Sequence, residues 1–134
     1  MIIDATGAIV GRLATVIAKS ALEGQDVVVV NVEKAVISGD PVKTVLKYKG
    51  RRGMQNKANP DLSPKWSRRA DYLFKRILQG MMPKHSARGK ASLQRVRAYM
   101  GVPDAYAGKA KPYAFTAAQL TCRYMTLEEL CKKI

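Results

Sequence analysis

Between Tyr48 and Lys90 the sequence gathers two complementary kinds of side chain. Arg51-Arg52, Lys57, Lys65, Arg68-Arg69 and Arg76 recur through a stretch that also holds Tyr48, Trp66 and Tyr72, and a second group, Lys84, His85, Arg88 and Lys90, follows Pro83. Guanidinium groups grip phosphate oxygens in bidentate fashion and stack on bases, ammonium groups supply compact charge, and exposed rings offer stacking platforms. In combination these residue types recognise a polyanion that also presents bases, which is nucleic-acid-binding chemistry. Trp66 has a second possible use, plugging its loop onto the core, and the residue type alone leaves both open.

The number of charges points the same way. Lys43 to Arg97 contains sixteen Lys or Arg against only Asp61 and Asp71, a local net of +14 that equals the net charge of the whole chain. Residues 1–42 and 98–134 are close to neutral. Cations at that density repel one another unless a polyanion screens them, so segment 43–97 is expected to face nucleic acid. The arginines and lysines predicted to make contact are those named above, with His85 among them.

Competing chemistries lack their residues. His85 is the only histidine, sits among Lys84, Arg88 and Lys90, and has no carboxylate nearer in sequence than Asp71 and Asp104. A catalytic triad needs an acid to orient its histidine and a nucleophile beside it. Thr6 to Arg12 contains Gly7 and Gly11 but matches neither phosphate-binding loop: three residues separate the glycines, Arg12 follows, and the dinucleotide fingerprint is absent. Cys122 and Cys131 form no CxxC pair, which argues for reduced packing cysteines and against a zinc site. No cofactor, metal or small-molecule substrate is expected. The longest uninterrupted apolar run, Val27 to Val30, is far below a membrane span, and the amino terminus lacks a signal-type pattern, so the protein is expected in the cytoplasm.

The elements that must hold these residues follow from periodicity. At 134 residues the chain has the length of one domain, expected over 1–134. A strand at Met1 to Ile3 precedes a helix with Ile9, Leu13, Val16, Ile17 and Ala21 on one face and Gly24 as its stop. Strands are expected at Val27 to Asn31, Val36 to Ser38 and Val96 to Met100, with a further one at Tyr113 to Phe115. Asp40 and Pro41 start a second helix, with Val42, Val45 and Leu46 inward and Gly50 as stop. Residues 51–67 then form an extended basic loop of the kind that is usually functional when so long. Helices follow from Arg68 to Gln79 and from Ser86 to Gln94, and Thr126 to Glu129 is a capping box opening a last one. Strands alternating with helices indicate an α/β fold with a parallel sheet.

The segment Gly80-Met-Met-Pro-Lys-His-Ser-Ala-Arg-Gly-Lys-Ala91 resembles the signature of the universal large-subunit ribosomal protein thirteen family. Gly11-Arg12-Leu13-Ala14 and Val29-Val30-Asn31-Val32-Glu33-Lys34-Ala35-Val36-Ile37-Ser38-Gly39 agree in order and spacing, so the resemblance covers nearly the whole chain. It implies a three-layer α/β/α domain with a four-stranded parallel sheet, seated on ribosomal RNA beside neighbouring large-subunit proteins. It also implies a structural, non-enzymatic role that includes support of subunit assembly. The chain lacks the bacterial histidine-bearing insertion after the first helix and the long carboxyl-terminal helical extension of eukaryotic members, which implies an archaeal one. Pro83 is expected to present Lys84 and His85, and Gly89 to let backbone approach RNA closely. The rival reading is a free-standing RNA-binding translational regulator that uses the same basic surface.

Overall fold

The valine run becomes β2 (Val27–Val30), an inner strand of a four-stranded sheet in which every pairing is parallel. In the computed structural model, which describes residues 1–134, β2 lies between β1 (Ile2–Asp4) and β4 (Val96–Ala98). A two-residue strand, β5 (Lys111–Pro112), pairs with β1 and completes the order β4-β2-β1-β5. Val29 stands opposite Ile3 on one side and Ala98 on the other, and Val27 opposite Val96. The helix α1 (Val10–Leu22) links β1 to β2, so these three elements form the βαβ unit that the periodicity predicts. With α2 (Pro41–Gly53), α3 (Ala70–Gln79), α4 (Ala87–Gln94) and α5 (Leu127–Lys133) the architecture is α/β in three layers.

Burial of the sheet is uneven. Ile3, Val27, Val29 and Val96 point into the core, whereas the alternate positions Ile2 and Val28 are only half-buried and Arg97 is exposed. The core joins this face to Leu13, Ile17, Leu73, Phe74 and Leu78 of the helices and reaches Leu127, Leu130 and Ile134 at the other end of the chain. Burying each such Leu, Ile or Phe contributes about 1.5–3 kcal/mol, which is why short strands suffice to organise the fold.

Several boundaries differ from expectation. Val36–Ser38 does form a strand, β3, but it leaves the parallel sheet and pairs antiparallel with β6 (Tyr124–Thr126), a strand that three residues of sequence do not announce. The last sheet strand lies at Lys111–Pro112 and not at Tyr113 to Phe115, where Tyr113 and Phe115 instead pack ring against ring at 5.8 Å. Val16 on α1, and Val42 and Leu46 on α2, face solvent, the last two at 66% and 64% exposure, while Tyr48 is the buried residue of α2.

The helix α2 also continues through Gly50, so the loop opens at Met54 and not at Arg51. A mid-helix glycine costs about 1 kcal/mol against alanine, and the contacts that Arg51 and Arg52 make beyond it offset that loss. The Arg51 guanidinium lies 5.2 Å from the Tyr48 ring one turn back, and Arg52 donates a hydrogen bond to the Ile134 carbonyl oxygen.

Helix starts agree with the sequence chemistry. Asp40 accepts from the Val42 amide at 3.1 Å with Pro41 at the first helical position, and Ser86 accepts from the Gly89 amide at 3.1 Å. Thr126 and Glu129 complete their reciprocal capping box at 3.2 and 3.3 Å.

Candidate nucleic-acid interface

Trp66 sits half-buried against the core, with the Tyr48 ring edge-on at 6.0 Å between centroids. Two guanidinium groups converge on it, Arg51 at 4.9 Å and Arg76 at 5.2 Å from its ring centroid. Trp66 therefore plugs its loop onto the core, and its ring holds two of the chain's own cations. Burial pushes the Tyr48 phenol above its ordinary pKa, while the neighbouring Arg51 charge works against that rise.

These groups line a concavity of about 720 Å³ between α2, the loop and α3. Its cations are Lys47, Arg51, Arg76 and Lys84, and no carboxylate lines it. Lys47 was not among the predicted contact residues. It stands one helical turn before Arg51, and that spacing would have joined the two had α2 been expected to run past Gly50.

The other predicted residues divide into two groups. Lys57, Lys65, Arg68, Lys84, His85 and Lys90 are exposed, and their side chains have no hydrogen-bond or ion-pair partner within the chain. Lys57 borders a polar hollow with Gln55, Asn56, Pro60 and Ser63, where the loop is organised by its own side chains. Ser63 Oγ accepts from the Asn56 amide at 2.9 Å, and Asn56 Oδ1 from the Ala58 and Asn59 amides at 3.2 and 3.3 Å.

Three of the predicted arginines also serve the fold. Arg52 binds the Ile134 carbonyl oxygen, Arg69 pairs with Asp71 at 2.8 Å while lying 4.9 Å from the Tyr72 ring, and Arg88 donates to the Leu22 carbonyl oxygen at 3.1 Å. The Arg88 contact places a cation on the negative end of α1. Each guanidinium carries five N–H donors, so these bonds leave others available. Within segment 43–97 the Arg69–Asp71 contact is the one ion pair.

The motif residues are mainly architectural. Gly89 is buried, and a Cβ there would stand 2.1 Å from the Pro83 carbonyl oxygen. The space it leaves is filled by Pro83 and is closed to the backbone approach of RNA expected at this glycine. Pro83 O in turn accepts from the Ser86 amide and hydroxyl at 3.2 and 3.1 Å, and this turn carries Lys84 and His85 outward. In the second motif Asn31 adopts a left-handed φ of 54° and its amide donates to Asp4 Oδ1 at 3.0 Å. Glu33 accepts the Gly101 amide on both carboxylate oxygens at 3.1 and 3.2 Å, clamping the turn after β2 to the turn after β4. Burial works to raise the Asp4 carboxyl. Hydrogen bonds from Asn31 and Thr6, with the Lys34 charge, outweigh it and hold Asp4 below the usual carboxylate range.

His85 has no carboxylate partner, and Cys122 and Cys131 are both free thiols. No helix is long and apolar enough to cross a membrane.

Comparison with known sequences follows the same direction as the geometry. Residues 1–105 match the sequence model of the family described as ribosomal protein L13. The large ribosomal subunit protein uL13 of Aeropyrum pernix is 39% identical over 138 residues, covering 100% of this chain and 88% of the relative. That of Methanocaldococcus jannaschii is 37% identical over 134 residues, covering 99% and 96%, and that of Archaeoglobus fulgidus 37% over 135, covering 98% and 85%.

Proposed function

The chain belongs to the ribosomal protein L13 family, and on that premise we propose that it is a structural, non-enzymatic constituent of an archaeal large ribosomal subunit that binds ribosomal RNA through segment 43–97. The single observation that carries the RNA-binding part is the unpaired state of that segment: of its sixteen cations only Arg69 has a carboxylate partner. Lys57, Lys65, Arg68, Lys84 and Lys90, with His85, contact the phosphate backbone from the loop, the turn after Pro83 and α4, and Arg76 meets RNA from α3 at the Trp66 cleft. Arg51 meets RNA at the rim of the Trp66 cleft. Arg52, Arg69 and Arg88 contribute with the donors their internal contacts leave free. Backbone contact of this kind reads RNA shape, with little base code outside unpaired regions.

Residues 1–134 act as one domain, in which the parallel sheet and α5 hold the basic surface in place. Neighbouring large-subunit proteins meet the less basic flanks, the protein supports assembly of the subunit, and its location is the cytoplasmic ribosome. Sedimentation tests the ribosomal assignment: the protein should travel with large subunits through a sucrose gradient at moderate salt. Recovery only at the top of the gradient would overturn it in favour of a free-standing RNA-binding regulator.

A further inference from the structure

The cleft beside Trp66 differs from the rest of the basic surface. Elsewhere Lys65, Arg68 and Lys90 stand exposed and line no such concavity, and the hollow that Lys57 borders holds no aromatic ring. Here Lys47, Tyr48, Arg51, Trp66, Arg76 and Lys84 surround a concavity of about 720 Å³, within the range of pockets that accept a small organic ligand. A double-stranded RNA helix presents phosphates and 2′-hydroxyls to a protein, and its stacked bases cannot enter such a cavity. An unpaired nucleotide can.

The ring–cation geometry identifies where its base would go. Trp66 is half-buried, and its π-face holds the Arg76 guanidinium at 5.2 Å, while Arg76 itself is exposed on α3. Gln79 Oε1 accepts from Arg76 Nη1 at 3.3 Å and restrains the same group from the helix. A guanidinium held in this way is a planar, charged platform, and bases stack on arginine planes as they do on aromatic rings. Lys47 and Lys84, which line the same cavity, supply compact positive charge for the phosphate that accompanies the base.

Building on the RNA-binding role proposed above, we infer that this cleft is a site for a single unpaired ribonucleotide, its base stacked on Arg76 and its phosphate held by Lys47 and Lys84. The site is thus specific for RNA that carries a bulged or looped-out residue, and blind to a continuous helix.

Three short RNAs of matched length test this with the full chain: a perfect duplex, the same duplex with one bulged adenosine, and the bulge with its base removed. The bulged RNA should bind about tenfold more tightly than the duplex, the scale of one stacked base, and the abasic form should fall back to the duplex level. Trp66 is the chain's one tryptophan, so its fluorescence should change on binding the bulged RNA and not the other two. Arg76→Lys keeps the charge and removes the planar face, and should erase the preference while the circular-dichroism spectrum stays folded. Equal binding of the three RNAs by the wild-type chain, or a full preference retained by Arg76→Lys, would overturn the site. Absence of binding to every RNA, the perfect duplex included, would overturn the underlying RNA-binding role together with it.

Discussion

At the scale of single residues, the sequence motifs divide between fold and contact in a way that spacing alone does not show. Gly89 lies in the segment most typical of the family, yet its missing side chain accommodates Pro83, 2.1 Å from where a Cβ would stand. Gly89→Ala should therefore cost about 1–3 kcal/mol in urea unfolding, the scale of an overpacked site, by forcing the Pro83 turn away from α4. The cysteines should differ in reactivity: Cys122 is exposed, whereas burial pushes the Cys131 thiol up to about 11, with Asp71 adding to the rise. A thiol reagent at mildly alkaline pH should label Cys122 quickly and the partly buried Cys131 more slowly until the chain is denatured; equal rates would contradict the placement of α5. Asp4 gives a pH dependence with a defined sign. Its carboxyl is held below the ordinary range in the folded chain, so it stabilises above the ordinary carboxylate pKa, and that contribution fades as pH falls through the lower folded value. In Asp4→Asn the loss of stability towards acid should be shallower than in the wild type, as measured by urea midpoints across that range. The candidate cations were legible because charge density survives in one dimension. The internal partners of Arg52, Arg69 and Arg88 were less so: the Arg52 and Arg88 contacts join residues 82 and 66 positions apart, and only Asp71 lay close enough to its arginine to be noticed.

At the scale of elements, caps were readable and short pairings were not. Asp40-Pro41, Ser86 and Thr126 mark helix starts with local chemistry, and each makes the bond its type implies. Asp40→Ala should lower stability by about 1 kcal/mol through loss of the cap on α2, with little change in affinity for RNA. Strands of two or three residues, such as β5 and β6, hold too few positions to display an alternation, and their partners lie far away along the chain. Gly50 misled for a different reason. Glycine is a stop signal in isolation, but tertiary contacts of Arg51 and Arg52 carry α2 past it. A Cβ at Gly50 would meet nothing within 4 Å, so Gly50→Ala should stabilise the protein by up to about 1 kcal/mol and raise its melting temperature. An unchanged or lowered melting temperature would mean that α2 does not run through that position.

At the scale of the whole molecule, charge and fold occupy different parts of the chain but one structure. The near-neutral flanks supply β1, β2 and α5, and with them much of the core, while segment 43–97 supplies α2, α3, α4 and the loop that carry the cations outward. The α/β class and parallel sheet followed from the alternation of apolar runs with helix-length segments. The gathering of Lys47, Arg51, Arg76 and Lys84 into one cleft did not, because it depends on how α2, the loop and α3 pack. If segment 43–97 binds ribosomal RNA through its phosphates, binding must weaken steeply as salt rises. Affinity for large-subunit ribosomal RNA should be measured against salt for the wild type and for a variant with Lys57, Lys65, Arg68, Lys84 and Lys90 replaced by glutamine. About eight phosphate contacts give the wild type a log–log slope of roughly −6, and losing five should leave a slope nearer about −2 with weaker binding and an intact circular-dichroism spectrum. A folded variant with the wild-type affinity and slope would mean that these side chains do not meet the RNA.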